Sequence, residues 1–125
     1  MILGLGTDIV EVARIGDARA RWGEAFMNRI LLPAEIAYCL SYRESAPHIA
    51  ARFAAKEAIS KAFGTGIGSE LGWHNLEILR DDLGRPLVRL HGGGQTLFAA
   101  RGAHQLHITL SHTHQYATAV AILEG

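Results

Sequence analysis

Residues 47–63, PHIAARFAAKEAISKAF, constrain this chain most. They form a long run of helix formers without an internal Gly or a Pro after Pro47, and Gly64 follows as a stop. Proline suits the first turn of a helix and glycine the residue just past its end. The spacing predicts a helix over 47–63. On a projection of about 100° per residue, Ala51, Ala54, Ala55, Ala58 and Ala62 share one stripe, a face narrow enough for a neighbouring element to approach closely. Glu57 and Lys61 fall on one shoulder of that stripe and Arg52 and Lys56 on the other, so the helix is expected to carry two charged edges.

The rest of the chain supplies the partner for this face. Residues 2–9 are apolar and punctuated by Gly4 and Gly6, which suits a buried strand that runs close to another backbone. From Glu11 the apolar period becomes helical, with Val12, Ile15, Ala18 and Trp22 on one side and Arg14, Asp17, Arg19 and Arg21 between. Gly23 interrupts it, a second helical piece stops before Pro33, and a third runs from Ala34 to Ser41. A hairpin is expected from Trp73–Leu79 and Leu87–Leu90 around the turn Asp81–Pro86. The Gly92–Gly94 break precedes a short helix, Thr96–Arg101, and strands at Leu106–Ser111 and Tyr116–Leu123 finish the chain. This order indicates an α+β fold, helices packed on an antiparallel sheet, in a single small domain spanning residues 1–125.

Composition excludes several functions. The chain has 12 Lys and Arg against 12 Asp and Glu, so no bulk charge argues for nucleic acid or an anionic membrane. No apolar run approaches the roughly 20 residues that a membrane span needs. The opening MILGLGTDIVEV lacks a basic leader and a cleavage site, which makes the cytoplasm the expected compartment. Cys39, the single cysteine, sits in an apolar helical stretch and reads as an inert buried thiol.

A few residues could carry chemistry. Asp8, at the end of an apolar strand, is either the N-cap of the following helix or a ligand for a hard cation. Glu57 and Lys61 are either an ordinary i,i+4 surface pair or the second carboxylate and a phosphate-binding cation beside it. Together with Arg52, Lys56 and the loop Gly64-Thr65-Gly66-Ile67-Gly68, whose backbone amides are expected to be free, they could hold a polyphosphate. That loop is neither a Walker A sequence nor a dinucleotide fingerprint, and a plain turn fits it as well. His104, His107, His112 and His114 lack the thiols or carboxylates of a structural zinc site. His112 reads as a phosphate partner or a turn residue.

Gly4-Leu5-Gly6-Thr7-Asp8-Ile9-Val10-Glu11-Val12 resembles the opening motif of the holo-acyl-carrier-protein synthases, a family of 4′-phosphopantetheinyl transferases. Arg52 to Gly66 is similar to their second signature, and the likeness continues through Gly84-Arg85-Pro86 and Thr109-Leu110-Ser111-His112, leaving residues 16–48 as the poorest match. The resemblance implies the 4′-phosphopantetheinyl transferase fold and transfer of 4′-phosphopantetheine from coenzyme A to a serine of apo-acyl carrier protein, in support of fatty acid biosynthesis. It implies that Asp8 and Glu57 bind Mg²⁺, with Glu57 and Lys61 catalytic and Lys61 also on the phosphates. Arg52, Gly64, Pro86, His112 and Thr113 become candidates for contacting coenzyme A. A homotrimer with each active site shared between subunits is expected on the same ground. The proton of the acceptor serine could pass to Glu57, to a water on the cation or to a carboxylate of the carrier. Because the carrier is acidic in such systems, Arg14 and Arg21, with Arg19 between them, form a candidate docking edge.

Overall fold

The computed structural model describes residues 1–125. Strand β1, Ile2–Glu11, leads into helices α1, Val12–Trp22, α2, Glu24–Ile30, and α3, Pro33–Leu40. The long helix α4, Ala46–Phe63, follows, then the hairpin β2, Leu76–Arg80, and β3, Pro86–Leu90. Helix α5, Gly93–Ala100, and strands β4, Gln105–His112, and β5, Tyr116–Glu124, complete the chain. The main sheet is antiparallel with order β1-β5-β4, and the β2–β3 hairpin forms a separate sheet.

Helix α4 lies across β1 and β5, and the alanine stripe makes this possible. Ala51, Ala54, Ala55, Ala58 and Ala62 are buried against the sheet, opposite Ala117, Ala119, Ala121 and Leu123 of β5. Gly4 and Gly6 complete the fit: a Cβ at either would stand 1.8 Å from the carbonyl oxygen of Ala62 or Ala58. Only glycine allows strand and helix backbones to come so near. Gly6 pairs with Ala121 and Asp8 with Ala119, so by the period-2 alternation Asp8 faces the same side as the glycines, towards α4.

One expected charged edge is instead core. Lys56 is fully buried, and its ammonium donates to Glu35 Oε1 at 2.7 Å, to the Ile30 carbonyl at 2.7 Å and to the Trp73 carbonyl at 3.1 Å. Glu35 also accepts from the amides of Leu32 and Ile78. Burial pulls the Lys56 pKa down, opposed by the attraction of Glu35. The pair ties α2, α3, α4 and β2 together and leaves Lys56 unavailable to a ligand. Cys39 is buried as expected, and burial pushes its thiol up to about 11.

Two boundaries also move. Trp73–Asn75 forms a 3₁₀ turn instead of strand, fixed by the Asn75 side chain accepting the Gly72 amide at 2.7 Å. Helix α5 starts at Gly93, within the glycine run expected to break it. These glycines serve close packing: a Cβ on Gly94 would lie 2.8 Å from the Asn75 carbonyl oxygen.

Candidate active site

The β1–α4 seam brings Asp8, Glu57 and Lys61 together. Asp8 is the seventh of the ten residues of β1, while Glu57 and Lys61 occupy the last two turns of α4. The Lys61 ammonium donates to the Thr7 carbonyl at 2.9 Å and to Asp8 Oδ1 at 3.2 Å, so its partner is Asp8 across the seam and not Glu57 one turn back. Asp8 makes no N-cap, since Glu11 holds that position on α1. Burial, and then the charge of Asp8, push the Glu57 carboxyl above its usual value, with Lys61 opposing. Two mutually repelling carboxylates with one partly exposed ammonium make a place where a hard cation would be favoured. The nearby C-terminal end of α4 adds negative potential of the same sense.

The glycine loop does not offer the free amides expected of it. The amides of Gly64, Thr65 and Gly66 all donate to the carbonyl of Ser60, closing the end of α4. Gly64 takes the left-handed conformation, φ 82°, required of such a cap. It is exposed, with open space where a side chain would be, so a ligand can approach its backbone without obstruction.

His112 and Thr113 lie elsewhere, at the far end of β4. With Tyr42, Arg43, Glu44, Pro47, His48 and His114 they line a cleft of about 440 Å³. His48 stacks on Tyr42, ring centroids 3.6 Å apart and 19° from parallel, and meets His112 edge-on at 5.2 Å. Beneath this group Arg52 is 1% exposed, its guanidinium 4.0 Å from the centre of the Tyr38 ring. Its Nε and Nη1 have no hydrogen-bond partner. Arg52 therefore belongs under the cleft and not on a surface edge of α4. Tyr42 and His48 were not foreseen: Tyr42 falls in a stretch without apolar period or motif, and His48, in the first turn of α4, precedes the signature that begins at Arg52.

Three further assignments complete the picture. Pro86 opens β3 and lines a different, smaller cleft with the start of β4, Gln105 to Ile108. On α1, Arg14 and Arg21 are exposed, but Arg19 turns inward and donates to the Ser45 hydroxyl, so it leaves the expected edge. Arg21 instead stands beside the exposed Trp22, which with Ala18, Ala25, Phe26 and Arg29 borders an apolar hollow.

One chain does not join the two polar centres. Asp8 and His112 are separated by β5 and by two residues along the strands, about 12 Å by strand spacing. Helix α4 packs on the sheet face that both residues share.

A fold of this topology with carboxylates on the strand–helix seam defines a class, and comparison with known proteins gives the same one. The family profile described as the 4′-phosphopantetheinyl transferase superfamily matches residues 4–121. A holo-acyl-carrier-protein synthase of Koribacter versatilis is 48% identical over 124 residues, covering 99% of each chain. The crystal structure of the holo-acyl-carrier-protein synthase of Neisseria meningitidis superposes with a TM-score of 0.93 at 34% identity, covering all of both chains. That of Helicobacter pylori, in complex with coenzyme A, gives 0.86 at 33% identity, covering 96% of this chain and 99% of its own. The chain belongs to the 4′-phosphopantetheinyl transferase superfamily, and within it to the holo-acyl-carrier-protein synthases.

Proposed function

We infer that this protein transfers the 4′-phosphopantetheine arm of coenzyme A to a serine of apo-acyl carrier protein and releases adenosine 3′,5′-bisphosphate. The observation that carries the reading is the meeting of Asp8, Glu57 and Lys61 on the β1–α4 seam of a chain from this family. The serine oxygen forms a bond to the phosphorus next to pantetheine, the bond from that phosphorus to the bridging oxygen breaks, and the serine proton leaves to a base.

Asp8 and Glu57 are the residues that would hold Mg²⁺, since that ion takes one or two carboxylates and completes its shell with phosphate and water. When bound it would neutralise charge on the pyrophosphate. Lys61, half exposed beside Asp8, can release that contact and move its ammonium to the departing phosphate. Glu57 is a proton acceptor at neutral pH only to the extent that it is not engaged by the cation. His112 and Thr113 are assigned to the nucleotide end of coenzyme A, with Arg52 acting from beneath; Gly64 and Pro86 supply open backbone and an apolar edge.

We further read the active enzyme as a homotrimer, because joining the Asp8 centre to the His112 cleft of a neighbouring subunit avoids the detour around α4. The exposed Arg14 and Arg21 suit an acidic carrier, with Trp22 and Phe26 offering apolar contact beside them. The single free cysteine is compatible with a reducing cytoplasm, and supply of holo-carrier to fatty acid synthesis is the role proposed there.

Mixing the protein with coenzyme A, Mg²⁺ and apo-carrier and weighing the carrier tests the activity directly. The expected result is a phosphopantetheine mass gain that D8A abolishes. A carrier of unchanged mass would refute it, and breakdown of coenzyme A without carrier would point to a hydrolase.

A further inference from the structure

The family reading accounts for His112 but not for His48, which lies outside the matching motifs and is held by three aromatic rings. Tyr42 covers one face at 3.6 Å, His112 meets it edge-on at 5.2 Å, and Tyr38 stands edge-on at 6.2 Å. A ring so confined fixes the orientation of its neighbours as well as its own. It also holds His112 at the wall of the cleft.

The surroundings of His48 are strongly cationic. Arg52 lies buried below with two unpartnered nitrogens, Arg80 reaches the Tyr38 ring from β2, and Arg43 and His114 line the same cleft. Glu44, exposed at the rim, is the only carboxylate among the lining residues. Burial, and then repulsion from His112, Arg52 and Arg80, lower the His48 pKa. The imidazole is thereby biased towards its neutral form until an anion enters. A phosphate dianion in the cleft offsets this positive charge and favours protonation of the ring.

We propose that His48 is a positioning residue for the phosphomonoester end of the substrate, orienting His112 and coupling phosphate binding to uptake of a proton from solvent. The proposal rests on the assignment of the His112 cleft to the nucleotide end of coenzyme A. Its consequence is a proton-linked affinity: binding weakens as pH rises, by up to about tenfold per pH unit for each full proton taken up.

The test is calorimetric titration of the intact protein with adenosine 3′,5′-bisphosphate and with adenosine 5′-monophosphate, in buffers of different ionisation enthalpy between about pH 7 and 8.5. This range keeps most of the ligand above its own second phosphate ionisation, near pH 6. Wild type is expected to take up protons on binding the bisphosphate. H48F keeps an aromatic ring against Tyr42 and His112 without a titrating group, and should bind with less proton uptake and a flatter pH dependence. H48A, which removes the packing as well, should bind the bisphosphate several-fold more weakly than H48F at the alkaline end. Equal proton uptake in wild type and H48F would overturn the coupling, and equal affinity of H48A and H48F would overturn the positioning role. If the bisphosphate binds no better than the monophosphate and H112A changes neither, the cleft is not a phosphate site and the proposal falls with it.

Discussion

At Asp8 and Glu57 the fold places like charges together in a partly buried setting, and Glu57 carries the strain. Its folded-state pKa is raised from 4.5, so the folded protein holds that proton more tightly than the unfolded chain. The associated stability is present below 4.5 and is lost as pH rises through the folded value. Above the folded value the cation-free protein should therefore be stabilised by E57Q, with the two melting curves converging below pH 4.5. Mg²⁺ should raise the melting temperature of wild type more than that of E57Q, and transfer by E57Q should fall by about 100-fold or more. A lower melting temperature for E57Q at every pH would show that Glu57 is not under electrostatic strain. These residues were legible because strand glycines and a helix stop bracket them. Lys56 was not: its projection suggested a charged edge, but its partner Glu35 lies 21 residues earlier, beyond any local period.

The seam that holds those residues depends on backbone contact between two elements. Gly6 has no room for a methyl group against the Ala58 carbonyl, so G6A must push β1 from α4 and shift Asp8 relative to Glu57. Both stability and transfer should drop, the stability by more than about 2 kcal/mol as expected for overpacking without space to relax. G64A meets no neighbouring atom and suffers only the left-handed backbone, costing about 1–2 kcal/mol. Urea unfolding of the two variants beside their transfer rates checks this; a G6A protein with wild-type activity would show that the seam tolerates displacement. The strand, the long helix and its packing face could be read in advance because alanine spacing and glycine punctuation are local signals. The Gly64–Gly66 amides and the start of α5 could not, since the same glycines serve as flexible breaks, helix caps or points of close approach, and only the neighbouring element decides which.

In the whole molecule the sheet has a second face, turned away from α4, where Leu5, Ile9 and Val120 are exposed beside Thr7, Thr118 and Thr109. The alanine stripe and the inner side of β5, small apolar surfaces that suit assembly between chains as well as a core, are consumed within the chain. Sequence could not distinguish these uses because both require small apolar residues in register. A trimer built on the remaining face would close by cyclic symmetry, each subunit giving its Asp8 centre to one neighbour and its His112 cleft to the other. Two inactive variants then become complementary. D8A retains a sound His112 cleft and H112A a sound carboxylate pair, so a mixed trimer contains one intact site out of three. Random co-assembly in equal amounts makes three-quarters of the trimers mixed, so transfer should recover to about a quarter of the wild-type rate in the whole mixture and to about a third in mixed trimers freed of homotrimers. Co-expressing the two chains with different tags and assaying the doubly purified complex measures this. Recovery absent from a verified mixed assembly would place each site within one subunit, and the path of coenzyme A would then have to run around α4.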